Sequence, residues 1–304
     1  MKILVFDAKL SSSAFVRGFA SKFTYFLFQN QEGKEKLQGA DRFYNYNWPT
    51  WDGIIPDNSE VVFQGLVRGT KEVYDACIEQ EKDYYYFDQP YFFYSDYKQN
   101  SAGDKWYRII KNNTQKTFID KTGRCKTRFE RIKERVKDRP ELIEQITLKP
   151  YQYDGKHILV IPPSYHTAQW YGIDRLQWQY NIVDQLKKHT KREIRVRQKF
   201  KNDVDWSPDR VEKPLHEDLI DCHAMVSFHS MCAVHAVVAG VPSFASEHSP
   251  AWPVSLSLKE LDQIEDPLYS GEREQWLHSL LGSQFTEAEM LAGNAYHFVN
   301  GKSV

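Results

Sequence analysis

Residues 225–244 read MVSFHSMCAVHAVVAGVPSF, and the succession of residue types in this run decides the fold class. An apolar run closes at Phe228, His229 and Ser230 follow, and small or apolar residues then continue to Ala239 before Gly240-Val241-Pro242. The pattern is a buried strand over His223–Phe228, a helix over Ser230–Ala239 stopped by Gly240, and a further strand over Val241–Ala245. Strands alternating with helices belong to a parallel α/β sheet, because parallel neighbours need a crossover between them. A helix that starts at the end of a strand presents unpaired N–H groups and a positive dipole end. The turn His229-Ser230 is therefore a seat for an anion such as a diphosphate. A capping histidine satisfied by the backbone explains His229 in simpler terms.

Working outward, the same alternation continues on both sides. His157–Ile161 reads as a strand closing in Pro162-Pro163-Ser164, Leu176–His189 as a helix, Glu193–Val196 as a strand and Pro214–Ile220 as a short helix. Gly271–Leu281 and Thr286–Val299 read as final helices, the second capped by Thr286 with Glu287 and Glu289 in its first turn. In the first half, Lys2–Phe6 is a strand closed by Asp7 and followed by Ser11, Ser12 and Ser13, with a helical pattern through Phe15, Phe19 and Phe23. Glu60–Phe63 and Tyr84–Phe87 are further strands, and Thr70–Glu81 is a helix with Thr70 at its N-cap. From Asp88 to about Lys121 the chain reads as a long aromatic connection carrying Tyr91, Phe92, Phe93, Tyr94, Trp106 and Tyr107. Residues 121–139, KTGRCKTRFERIKERVKDR, set nine Lys or Arg against three acids on a helical pattern that Pro140 closes. At 304 residues the chain fits two domains, with the boundary at about 140–155.

The strand, the Ser-containing turn and the small-residue helix leading to Gly240-Val241-Pro242 resemble the donor-binding half of GT-B-fold glycosyltransferases, especially capsule- and phage-type members, over residues 155–300. Sugar-nucleotide epimerases share the motif. The resemblance implies two Rossmann-like domains with an interdomain cleft. Residues 1–145 would then be the acceptor domain and residues 146–304 the nucleotide-sugar donor domain. It further implies a nucleotide sugar as co-substrate, UDP-linked in the first instance, with Ser164, Arg197, His229, Ser230 and His235 toward the donor. His235 stands where the family often has an acidic, ribose-binding residue. Arg195, Arg197 and Lys199 alternate along one strand and its continuation and could meet phosphate, although a solvated edge strand accounts for them nearly as well.

An inverting transferase needs a base for the acceptor hydroxyl. Ligands of open α/β sheets collect at the carboxyl ends of strands, which selects Asp88 and, second, Asp7; a turn cap before Pro90 is the plainer reading of Asp88. The basic segment, through Arg124, Lys126, Arg128, Arg131 and Lys133, with Trp106 and Tyr107 for stacking, suits a polyanion. The chain in this respect resembles the phage enzymes that glycosylate modified bases in DNA. The other explanation is a solvated helix with Glu130 and Glu134 in helix-spaced pairs. Beside the transferase stand a nonhydrolytic epimerase and a non-catalytic nucleic-acid-binding protein of the same fold.

Composition narrows the classes. Hydrophobic residues at 41% and charged residues at 27% belong to a folded protein, and a net charge of −1 excludes a globally basic nucleic-acid coat. Aromatic residues reach 14%, which suits core packing and also sugar or base stacking. Cys77, Cys125, Cys222 and Cys232 form no CxxC pair, so reduced cytoplasmic thiols are expected rather than zinc ligands or disulfides. The opening MKILVFDAKLSSS is too short an apolar run for a signal peptide, and no stretch is long enough to span a bilayer, so a cytoplasmic protein without membrane contact is expected. Asn112-Asn113-Thr114 is then an accidental glycosylation pattern. Asp203-Val204-Asp205 matches a metal-binding DxD of a different fold and is discounted, so no metal is expected.

Overall fold

The computed structural model describes residues 2–7, 24–29, 42–47, 51–66, 70–93, 105–197 and 214–302, with the strand course alone given for 24–29 and 42–47. The helix expected through Phe15, Phe19 and Phe23, Ser11–Ser13, Lys199 and the Asp203-Val204-Asp205 pattern lie outside the described residues. The chain divides into two compact units, residues 1–114 together with 282–304, and residues 115–281.

The first unit carries β1 (Lys2–Asp7), β2 (Thr24–Gln29), β3 (Arg42–Asn47), β4 (Ser59–Gln64), α1 (Thr70–Glu79), β5 (Tyr84–Asp88) and β6 (Trp106–Lys111). Strand β6 corrects the irregular reading of this stretch: aromatic and β-branched residues, WYRIIK, are buried over the first five positions and pair antiparallel with β5. Trp106 is 1% exposed and Tyr107 is 6% exposed, so both are core residues. The residues before this strand, Tyr91, Phe92 and Phe93, are buried as well.

The second unit begins with α2 (Arg124–Arg135) and α3 (Pro140–Gln145), then runs β7 (His157–Ile161), α4 (Tyr165–Tyr171), α5 (Arg175–His189), β8 (Glu193–Val196), α6 (Leu215–Asp218), β9 (Cys222–Ser227), α7 (Met231–Val238), β10 (Ser243–Ala245), β11 (Leu256–Ser257) and α8 (Arg273–Gly282). Its five strands lie in the order β11-β10-β9-β7-β8 and are parallel throughout. Central strands β7 and β9 are buried at every position, as apolar runs flanked on both sides must be, whereas edge strand β8 alternates between exposed and half-buried residues. Close packing fixes two glycines. A Cβ on Gly240, which has φ +85°, would fall on the Pro150 carbonyl, and one on Gly155 would fall on the His223 backbone.

The chain then returns to the first unit with β12 (Gln284–Thr286), α9 (Glu287–Leu291) and α10 (Asn294–Val299). The capping box expected at Thr286 is formed with Glu289. The single expected helix is two, because Gly293 at φ +77° turns the chain between them. The first sheet has the order β12-β6-β5-β4-β1-β2-β3, with the five strands from β5 to β3 parallel and β6 antiparallel to both of its neighbours, β5 and β12. Phe285, Met290 and Ala295 join Ile3, Val5, Val62, Tyr85 and Ile109 in one core cluster. This burial of the C-terminal segment sets residues 282–304 in the first unit, and residues 115–145 fall in the second. The architecture is α/β with two parallel-rich sheets. Among the described residues no helix is long and apolar enough to cross a membrane.

Candidate functional site

In the second unit, the chain places β8 on one side of β7 and β9 on the other. This is the flavodoxin-like order of doubly wound sheets, and its topological switch point lies between β7 and β9. Connections leaving the two carboxyl ends diverge there and open a crevice. The last residues of the strands, Ile161 and Ser227, are register partners. Three residues beyond each stands a serine that caps a helix: Ser164 Oγ accepts the Thr167 N–H at 3.2 Å, and Ser230 Oγ accepts the Cys232 N–H at 3.1 Å. Two helix starts thus follow register-paired strand ends at the switch point, each with first-turn N–H groups and a positive dipole end. Ser164, His229 and Ser230, which the resemblance assigns together to the donor, follow the ends of the register-paired strands β7 and β9.

The interior of α7 explains how it holds this position. Ala233 and Ala236 are fully buried, and residues this small let the helix sit close on β9 and β10. His235 lies on the same helix as a half-buried ring whose burial pushes its imidazole below the ordinary range, favouring the neutral form.

A group of rings adjoins the crevice. Tyr171, at the end of α4, stacks on His248 with centroids 4.6 Å apart and lies 5.3 Å from Phe228 and 5.7 Å from His229. His229 is 8% exposed. Ser246 donates through its hydroxyl to the Phe228 carbonyl at 2.5 Å, which ties the loop after β10 to the loop after β9. Ser227 Oγ, fully buried at the end of β9, has no hydrogen-bond partner among the described residues. Tyr171, Ser227 and His248 were missed in the sequence. Extending the rule of strand carboxyl ends to the strand Val241–Ala245 would have reached His248.

Other selected residues stand elsewhere. Arg197 follows β8 and its backbone N–H donates to the Val160 carbonyl, but its guanidinium pairs with Asp218 at 2.5 Å. Arg195 pairs with Glu193 on the exposed edge strand. On α2, Lys126, Arg131 and Lys133 are exposed and Arg124 is half-buried, whereas Arg128 is buried beside Cys125, Phe129 and Ile132. Arg128 is accordingly no surface contact, and neither Trp106 nor Tyr107 can offer a ring face to a base from the core of the first unit.

In that first unit the order places the switch point between β1 and β4, and Asp7 is the last residue of β1. Asp88 closes β5, where its register partner is Arg108 of antiparallel β6. Arg108 donates to Asp88 Oδ2 at 2.6 Å and to the Gln89 carbonyl at 2.9 Å. The Tyr86 hydroxyl donates to the same Oδ2 at 2.7 Å, and the Gln89 N–H to Oδ1 at 2.8 Å. Arg108 is 5% exposed and lies over the Tyr91 ring at 5.1 Å. Burial pushes the Arg108 guanidinium down, and Asp88, Tyr86 and Tyr91 together outweigh it, leaving the group above its ordinary range. Burial, reinforced by Asp88, likewise raises the Tyr86 phenol. Both oxygens of the Asp88 carboxylate thus accept hydrogen bonds from its own stretch of chain and the neighbouring strand, the setting of a counter-ion to Arg108. Among the described residues, no group of three or more His, Cys, Asp or Glu side chains is arranged to hold a metal.

No family model matches the sequence, and no curated protein sequence matches it. Two solved structures from Thermosulfurimonas dismutans are similar at very low identity. KpsC, beta Kdo 2,4 transferase, has a TM-score of 0.47 and 9% identity over 98% of both chains. KpsC, beta Kdo 2,7 transferase, has a TM-score of 0.44 and 10% identity over 99% of both chains.

Proposed function

We propose that the 115–281 unit binds the nucleotide part of a nucleotide sugar at the β7–β9 switch point, and that the protein is a glycosyltransferase. The observation that carries this reading is the pair of serine-capped helix starts, each three residues beyond register-paired strand ends. Two helix starts with their free N–H groups suit a diphosphate better than a single negative charge. In the reaction the acceptor hydroxyl oxygen bonds to the anomeric carbon as the bond from that carbon to the phosphate oxygen breaks. The hydroxyl proton passes to a carboxylate and the nucleotide departs with the electron pair. Asp7, at the β1 carboxyl end, is retained as the candidate base in place of Asp88. A DNA acceptor is not carried forward, because Trp106, Tyr107 and Arg128 are interior residues.

The test is thermal unfolding of the full chain with a panel of nucleoside diphosphates and nucleotide sugars. A ligand at about 100 times its Kd adds about 2.7 kcal/mol to the stability of the native state. Ser230→Asp sets a negative charge at the α7 start and should abolish the shift. No shift with any member of the panel at millimolar concentration would refute the nucleotide site. Consumption of the active nucleotide sugar in the absence of any acceptor would make the protein an epimerase instead.

A further inference from the structure

Beside the turn Pro162-Pro163-Ser164 lies a cavity of about 430 Å³ between α4 and the start of α5. Ala168 and Pro162 line it with apolar surface, and Tyr165 and Leu176, 46% and 59% exposed, stand at its mouth. The Gln169 amide, on an exposed side chain, offers both a donor and an acceptor to whatever enters. Asp174 and Arg175 both line the cavity, so their charges balance. Each is held in place: Asp174 Oδ1 accepts the Gln177 N–H at 3.0 Å and Arg175 Nε donates to the Pro163 carbonyl at 2.8 Å.

The geometry points to this cavity as the seat of the heterocyclic base of the nucleotide, an inference that rests on the nucleotide site proposed above. The two places share one turn: it contributes Pro162 to the cavity, and its Ser164 caps α4. Phosphates belong at the helix starts. A cavity with balanced charge, an aromatic ring and an amide fits the neutral, planar part of the ligand. The base stacks against Tyr165 and Leu176, and Gln169 reads its polar edge, so this cavity selects which nucleotide is bound.

Isothermal titration of the full chain with inorganic pyrophosphate and with UDP, CDP, ADP and GDP tests the assignment. One nucleoside diphosphate should bind about tenfold or more tightly than pyrophosphate. Tyr165→Ala and Leu176→Asp, both at exposed positions that leave the core untouched, should reduce that nucleotide to the affinity of pyrophosphate and leave pyrophosphate binding unchanged. If both variants bind the nucleotide as the wild type does while Ser230→Asp loses it, the base sits elsewhere and the nucleotide site stands. If the wild type binds none of the nucleotides, the nucleotide site itself fails and the base cavity with it.

Discussion

Replacing Asp88 with Asn separates a counter-ion from a catalytic base. The amide keeps the shape and can still accept from Tyr86, but it removes the charge facing Arg108, which is 5% exposed. For an N–O distance of 2.6 Å the charge centres lie roughly 4 Å apart, and at an effective dielectric of about 20 that separation corresponds to about 4 kcal/mol. Removing one partner of a buried pair costs about 3–5 kcal/mol, and because Asp88 is 25% exposed the lower end applies, about 3 kcal/mol. At about 2–4 °C per kcal/mol, the unfolding transition of the first unit should fall by roughly 6–12 °C. Differential scanning calorimetry of wild type, Asp88→Asn and the double variant Asp88→Asn/Arg108→Met measures this directly. The double variant should recover most of the loss, since it no longer buries an unpaired charge. An Asp88→Asn protein that unfolds at the wild-type temperature would refute the counter-ion assignment and return Asp88 to the list of candidate bases.

Two further outcomes follow from other groups. Burial pushes the thiols of Cys77, Cys125 and Cys222 up to about 12, while Cys232 is half-buried in the first turn of α7; native protein treated with N-ethylmaleimide at pH 7.5 (about neutral) should therefore gain one adduct, at Cys232, more slowly with a bound nucleotide. Mass spectrometry showing adducts at the other three, or no protection, would count against the burial or the site. Burial pushes the Asp120 carboxyl up, but hydrogen bonds from Cys125 and Thr122 outweigh it and hold the group well below the ordinary carboxylate range. Its contribution is present above the unfolded value of 3.8 and is lost as pH falls through the folded value. Asp120→Ala should thus cost about 1 kcal/mol near neutral pH, the worth of its hydrogen bonds, and in urea titrations the deficit should shrink as pH drops below about 4; a deficit that stays constant to acid pH would show that the ionised carboxylate is not what those bonds rest on.

The second unit was the more legible in sequence because its strands are apolar runs and its helices carry their own stop and start signals. Ser230, Gly240 and Thr286 each mark a helix end in the structure by the chemistry that marks it in the sequence, whereas the helix that Ser164 caps, Tyr165–Tyr171, is too short to show a periodic pattern. What failed was of three kinds. Trp106 and Tyr107 look alike whether they pack a core or face a ligand, and only the pairing of β6 with β5 and β12 decides between the two. The return of residues 282–304 to the first sheet has no local signature, since Phe285 and Met290 would read as an ordinary apolar helix face wherever the chain took them. His248 went unseen because its strand, Ser243–Ala245, was used to close the β–α–β pattern and not to ask what lies past its end.

The case of Asp88 shows that a strand's carboxyl end gathers ligands only under a topological condition. A crevice opens where two adjacent parallel strands send their connections in opposite directions, as β7 and β9 do, and as β1 and β4 do in the other sheet. The end of β5 meets neither condition. Its outer neighbour, β6, runs antiparallel, so the carboxyl end of β5 lies beside the amino end of β6, and the register sets Arg108 opposite Asp88. The space a ligand would need is filled by a side chain of the same sheet, and a buried cation there requires an anion for its own sake. Asp88 is thus explained by the strand beside it. Asp7 is flanked by β2 and β4, both parallel to β1, at the point where the winding reverses. By the same topological rule the carboxyl end of β1 lies at the switch point of its sheet and the carboxyl end of β5 does not.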